Sequence, residues 1–143
     1  MFVRVKREGD PDLTISDTDV RNALKIFCND KDLTIRGLVV ILTNDHAQIR
    51  HNRKMLSHDY NTDVITQEYD SPLGVSVEMY INGDTTFMNR GELPVNYVLR
   101  MVFHGLLHLV GYKDNTTNDR IEMQHEEDRL LELFHVEHKT LRL

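Results

Sequence analysis

Residues 100–114, Arg-Met-Val-Phe-His-Gly-Leu-Leu-His-Leu-Val-Gly-Tyr-Lys-Asp, constrain the fold of this chain more than any other stretch. His104 and His108 stand four residues apart in a run that is otherwise almost wholly apolar. Positions i and i+4 lie on one face of an α-helix, so both imidazoles can reach the same point in space. Gly111 is typical of a helix that ends in a left-handed turn, after which the chain can double back and return Asp114 to that point.

The spacing His-x3-His-x2-Gly-x2-Asp is that of the extended zinc-helix motif, in which a third ligand follows a glycine turn. A catalytic zinc takes three protein ligands and leaves one position for water. The pattern therefore predicts one Zn(2+) per chain, held by His104, His108 and Asp114. The alternative is a structural pair of core histidines, but an apolar run offers few polar partners for two buried imidazoles.

The residue after the first histidine distinguishes this motif from that of the zinc peptidases. Those enzymes have a glutamate there as the general base, whereas this chain has Gly105, so a peptidase is disfavoured. A structural zinc is a further alternative, with its fourth ligand from His125, His135 or His138. Three ligands and no fourth cysteine or histidine inside the motif favour an open site instead.

Composition limits the classes of protein that this chain can belong to. Its 143 residues predict a single domain over 1–143, and 40% hydrophobic with 28% charged residues is ordinary for a globular protein. One cysteine, Cys28, excludes a disulfide framework and suits a reducing cytoplasm. The first seven residues do not form a signal-peptide pattern, and no apolar run approaches the roughly 20 residues that span a bilayer. We therefore expect a cytoplasmic protein with no membrane partner.

Charge bears on nucleic acid as a partner. The net charge of −6 argues against it, but residues 114–134 carry seven acidic and two basic side chains and so account for −5. The remainder is close to neutral and leaves room for a local basic patch. Arg50, Arg53 and Lys54 fall on one face of a predicted helix, where they form either a solvated surface or a phosphate-facing patch.

Hydrophobic periodicity predicts the order β, α, β, α, β, β, α, α. The predicted strands cover about 2–7, 34–43, 62–69 and 75–82, and the predicted helices about 17–29, 46–56, 95–110 and 117–134. This order is that of an α/β (α+β) single domain, with helices packed on one mixed sheet of about four strands. We expect strand 34–43 to be central and strand 75–82 to be an edge strand with one wet face. In the last helix we expect Ile121, Leu130, Leu131 and Phe134 to point inward and the acidic face to be solvated.

Three stretches resemble the YbeY-type endoribonucleases of bacterial rRNA maturation, in the branch with Asp as the third metal ligand. The first is the motif over 104–114, and the second is Asn52 to Asp59, followed by 62–66. The third is the acidic helix over 119–131. Their order and spacing match over about 35–134.

The resemblance implies a zinc-dependent endoribonuclease specific for single-stranded RNA, with His104, His108 and Asp114 as its ligands. It further implies a role in 3′-end maturation of small-subunit rRNA and in ribosome quality control, with single-stranded rRNA and the small ribosomal subunit as partners. No general base is identified. His58 and Asp59 are candidates because they lie in a matching loop, and the alternative is a turn pair.

The chain also departs from the family pattern. Most members have histidine where Asp114 stands, many have an arginine in place of Leu56, and an aromatic residue is common in place of Gln67. Residues 83–94 do not follow the usual helix of the family. The missing arginine and the acidic balance motivate a second hypothesis, a non-catalytic metal-binding protein that associates with ribosomes or RNA.

Overall fold

The computed structural model describes residues 1–56, 64–84 and 92–137, and within them it contains four strands and four helices. The strands are β1 (Phe2–Glu8), β2 (Gly37–Thr43), β3 (Val64–Ser71) and β4 (Gly74–Asn82). The helices are α1 (Asp17–Lys31), α2 (Asp45–Leu56), α3 (Pro94–Leu109) and α4 (Thr117–Glu137). Every predicted element is present, in the predicted order.

The four strands form one mixed sheet in the order β1-β2-β4-β3. Strands β1, β2 and β4 are parallel, and β3 pairs antiparallel with β4. The predicted α/β fold with one mixed sheet is therefore confirmed, as is the central position of β2. The prediction that residues 75–82 form an edge strand is wrong, because β4 lies between β2 and β3. The side chains of β4 alternate in polarity because helix α2 covers one face of the strand and helix α3 covers the other.

Helices α1, α3 and α4 pack on one face of the sheet and enclose the main core. The apolar stripe of α1 is fully buried there and consists of Val20, Ala23, Leu24 and Phe27. The Ser16 hydroxyl caps this helix by accepting a hydrogen bond from the Asp19 amide at 3.0 Å.

Helix α2 packs on the opposite face of the sheet from α3. The ring of Tyr80 in β4 lies 4.1 Å from the ring of His51 in α2. The neighbouring Met79 instead lies against Gly105 of α3. Because successive residues of a strand point to opposite faces, these two contacts separate the two helices across the sheet.

Helix α4 buries three of the four residues that were predicted to point inward, namely Leu130, Leu131 and Phe134. Its buried residues follow the helical period and are Met123, Glu127, Leu130, Leu131 and Phe134. Ile121 is 47% exposed, so its predicted inward position is wrong. It stands two residues before Met123 and so points roughly 200° away from it around the helix. The acidic face is also not wholly solvated, because Glu127 is only 5% exposed.

Within residues 1–56, 64–84 and 92–137, no helix combines the length and the apolar character needed to cross a bilayer.

Candidate metal centre

Helix α3 supplies two side chains of the centre. Pro94 begins it, where the missing proline N–H leaves no helical hydrogen bond unmade, and its apolar residues fill the core. His104 and His108 are the exceptions, since they face outward from the core on one side of the helix. Their side chains are 19% and 35% exposed.

A glycine turn supplies the third side chain. Gly111 has φ +100°, a left-handed conformation that other residues rarely adopt. The Tyr112 amide donates to the Leu107 carbonyl at 3.0 Å, and the Gly111 amide donates to the His108 carbonyl at 3.2 Å. These two bonds form a Schellman motif, which ends α3 and turns the chain back. Asp114 is thereby returned beside the two histidines, as the sequence predicts.

The three side chains present a triangle of donor atoms. The two Nε2 atoms of His104 and His108 lie 3.0 Å apart. The Asp114 Oδ2 atom lies 3.4 Å from Nε2 of His104 and 3.3 Å from Nε2 of His108. Ligands at about 2.0–2.1 Å from a tetrahedral zinc stand about 3.3 Å apart, so the triangle fits such an ion. Among the described residues, these three form the group able to hold a metal.

Hydrogen bonds at the far side of each ring determine which nitrogen carries the proton. Nδ1 of His104 lies 2.6 Å from Oε2 of Glu127, and Nδ1 of His108 lies 3.0 Å from the carbonyl oxygen of Tyr112. An ionised carboxylate and a carbonyl oxygen can only accept, so Nδ1 is the donor in each neutral ring. Both Nε2 atoms then direct a lone pair toward the metal position.

An ion-pair network lies behind Glu127. Arg100 donates to Glu127 at 3.2 Å and to Glu92 at 2.9 Å, and it contacts Asp128 at 2.8 Å. Burial lowers the pKa of Arg100, but its hydrogen bonds to these carboxylates outweigh burial and raise the pKa above its ordinary value. Arg100 is therefore a permanent cation next to the centre. Sequence reasoning missed Glu127, although its position four residues after Met123 places it on the buried stripe.

Gly105 lies where α3 approaches the sheet most closely. A Cβ atom at this position would stand 2.5 Å from Oγ1 of Thr66 and 2.7 Å from Cε of Met79. Both distances are shorter than side-chain contacts allow. The residue after the first histidine therefore faces the sheet, and the position has no room for a glutamate.

The other predicted site residues stand elsewhere. Arg50, Arg53 and Lys54 belong to α2, on the opposite face of the sheet from α3, and Arg50 is 3.3 Å from Glu8. His125 and His135 are not in the metal-binding group, and His135 instead lies 2.8 Å from Asn96. The general-base candidates, His58 and Asp59, lie outside the described residues, as does His138.

Comparison with known proteins identifies the family. The family model described as "Endoribonuclease YbeY" matches residues 10–135. The chain belongs to the YbeY family. One relative, Endoribonuclease YbeY of Chlorobium limicola, is 37% identical over 103 residues, which are 70% of this chain and 72% of the relative. Endoribonuclease YbeY of Chloroherpeton thalassium is 29% identical over 124 residues, covering 84% and 88% of the two chains.

A solved structure has a similar fold. The solution structure of TM1509 from Thermotoga maritima is similar, with a TM-score of 0.60 and 21% sequence identity. The match covers 98% of this chain and 93% of that one, so the sheet and its helices form one shared fold. The sequence prediction of the YbeY family is confirmed.

Proposed function

We propose that this chain is a zinc-dependent endoribonuclease that cleaves single-stranded RNA, with His104, His108 and Asp114 as the metal ligands. The observation that carries the proposal is the triangle of two Nε2 atoms and one carboxylate oxygen, with edges of 3.0, 3.3 and 3.4 Å. Imidazole nitrogen and carboxylate oxygen are both competent zinc ligands. Membership of the YbeY family and relatives named as endoribonucleases support RNA as the substrate.

The ligand set suits hydrolysis of a phosphodiester. A divalent ion held there supplies Lewis-acid polarisation of a phosphoryl oxygen and lowers the pKa of a bound water. Asp114 contributes one negative charge and the two neutral imidazoles contribute none, so a divalent ion together with its three ligands would carry about +1 and would attract a phosphate. Histidine in place of Asp114, as in most of the family, would leave +2 and a stronger attraction.

A pocket beside the centre has the size for an unpaired base. It has a volume of about 270 Å³ and lies at the glycine turn that returns Asp114. Its lining is Val110, Gly111, Tyr112, Lys113, Asp119 and Glu122. The Lys31 ammonium lies 5.4 Å from the centre of the Tyr112 ring, on one of its faces. Tyr112 also packs against the hydrophobic core, and the part of its ring that lines the pocket is the surface on which a base of single-stranded RNA would stack.

The biological setting follows from the family alone. We propose one hydrolase domain over 1–143, in the cytoplasm, acting in 3′-end maturation of small-subunit rRNA and in ribosome quality control. Its partners would be single-stranded rRNA and the small ribosomal subunit, with Arg50, Arg53 and Lys54 as contacts to the RNA backbone. Since these cations are across the sheet from the metal, the RNA would have to extend past an edge of the sheet to reach both.

RNA cleavage with and without metal tests the nuclease proposal. The protein is stripped with EDTA, reloaded with zinc, and incubated with a labelled single-stranded RNA and with its duplex. We expect the zinc-loaded protein to cleave the single strand internally. We expect no cleavage by the stripped protein or by His104→Ala. Equal cleavage by the stripped and loaded samples would contradict the proposal.

A second candidate is a non-catalytic, ribosome-associated metal-binding protein. Leu56 at the family arginine position and the location of the basic residues across the sheet from the metal favour it. It predicts that His104→Ala loses zinc but binds small subunits as the wild type does, with no cleavage by either protein. A zinc peptidase is disfavoured because Gly105 supplies no general base. Release of peptides from casein, lost in His104→Ala, would support it.

A further inference from the structure

The two metal-facing histidines donate hydrogen bonds to different kinds of acceptor. His108 donates to a neutral backbone carbonyl, that of Tyr112, in a turn exposed to solvent. His104 donates to a carboxylate, that of Glu127, whose side chain is only 7% exposed. A carboxylate partner orients the ring and also makes it a stronger base, which strengthens its bond to a metal.

Glu127 is itself held on its other oxygen. Its Oε2 atom accepts from His104 at 2.6 Å, while its Oε1 atom accepts from Arg100 at 3.2 Å. A buried carboxylate is costly unless it is paired and hydrogen-bonded, and Arg100 meets both needs. Arg100 is in turn held by Glu92 and Asp128, so the guanidinium is fixed from three sides.

We propose that Glu127 is a positioning residue that sets the affinity and the geometry of the metal centre through His104. Arg100 fixes Glu127 for that role. The inference rests on the proposed metal site and extends it from α3 to α4, because Arg100 and His104 on α3 both donate to one side chain of α4. The motif over 104–114 alone is therefore an incomplete description of the centre.

The required chemistry at position 127 is two acceptor oxygens. Both neighbours are donors, since His104 presents Nδ1–H and Arg100 presents N–H groups. Glutamine has one acceptor oxygen, and its amide group would face a donor. Glu127→Gln therefore keeps the shape of the side chain but cannot satisfy both neighbours.

The chain offers a matched control one residue earlier. Glu126 also accepts from two cations, Lys31 at 2.6 Å and Arg129 at 3.2 Å. It joins α4 to α1 and does not contact His104. Glu126→Gln therefore weakens a comparable pair of ionic hydrogen bonds on the same helix, and it leaves the hydrogen bond between position 127 and His104 in place.

The test is zinc affinity, measured by competition with a chromophoric chelator on the wild type, Glu127→Gln and Glu126→Gln. We expect Glu127→Gln to bind zinc on the order of 10- to 100-fold more weakly than the wild type, and Glu126→Gln to bind it unchanged. Thermal unfolding of each protein in EDTA shows whether the apoproteins remain folded. Equal zinc affinity in Glu127→Gln and the wild type would overturn the inference.

A second measurement needs no variant. Nitrogen-15 NMR of the imidazoles in the wild-type apoprotein, at a pH where the rings are neutral, reports which nitrogen carries the proton. We expect His104 as the Nδ1–H tautomer, because Glu127 accepts there. The Nε2–H tautomer would overturn the inference. If the wild type bound no zinc at all, the proposed function would fail. If the wild type bound zinc and Glu127→Gln bound it equally well, only the role of Glu127 would fail, so the two outcomes are distinguishable.

Discussion

Replacing Gly105 by alanine tests the fit between α3 and the sheet. The added Cβ atom would lie 2.5 Å from Oγ1 of Thr66 and 2.7 Å from Cε of Met79. Inserting a methyl group into a packed interior costs about 1–3 kcal/mol. Alanine is a better helix former than glycine and returns about 1 kcal/mol of that. The net expectation is a destabilisation of up to about 2 kcal/mol.

The sign of the change is the decisive result. For a domain of this size, 1 kcal/mol corresponds to about 3 °C in Tm, so Gly105→Ala should lower the Tm by up to about 6 °C. Thermal unfolding in EDTA measures this without interference from metal binding. If helix propensity alone mattered, the same variant would be about 3 °C more stable than the wild type, and that result would refute the packing argument.

A double-mutant cycle identifies the contact that opposes alanine. Thr66→Ala removes the Oγ1 atom that lies closest to the added Cβ atom. Gly105→Ala should therefore be less destabilising in a Thr66→Ala background than in the wild type, with a coupling on the order of 1 kcal/mol. Additive effects of the two changes would mean that Thr66 is not the obstacle.

Three further predictions concern the turn, the helix pair and the metal. Gly111→Ala places a methyl-bearing residue at φ +100°, so we expect the apoprotein to lose about 1–2 kcal/mol of stability, measured by denaturation, and to bind zinc more weakly, measured by chelator competition. No change in either quantity would contradict the role of the turn. Arg129 lowers the pKa of Asp30 and Glu126, so the stabilisation from these carboxylates is present above their unfolded pKa values near 4 and is lost as the pH falls. Between about pH 5 and pH 3, Arg129→Met should therefore lose less stability than the wild type, by under about 1 kcal/mol. Parallel curves of unfolding free energy against pH for the two proteins would contradict this. Zinc at 100 times its Kd should stabilise the wild type by about 2.7 kcal/mol and leave the Tm of His104→Ala unchanged, as measured by thermal unfolding; an equal shift in both proteins would place the ion elsewhere.

Local signals in the sequence were enough to predict the elements and the metal triangle. The period of apolar residues, the Ser16 cap, Pro94 and Gly111 each act within one or two turns of chain, so their effects follow from a few neighbouring residues. The triangle is also local, because all of its atoms come from residues 104–114.

Features that depend on tertiary packing could not be predicted in this way. The alternation of β4 shows that its two faces differ, but an edge strand and an inner strand covered by α2 on one side give the same pattern. Likewise, the helical period places Glu127 on the same face of α4 as Met123, but its contact with His104 depends on how α4 packs against α3. The position of Arg50 across the sheet from the metal depends on the handedness of the chain connections.

The central claim is that two imidazoles and one carboxylate hold a single divalent ion. Elemental analysis of the purified wild type and of Asp114→Ala, normalised to protein concentration, tests it most directly. We expect about one zinc per chain in the wild type and a clear loss in Asp114→Ala, with the apoprotein still folded. A wild type without stoichiometric metal, or an Asp114→Ala variant that retains as much zinc as the wild type, would contradict it.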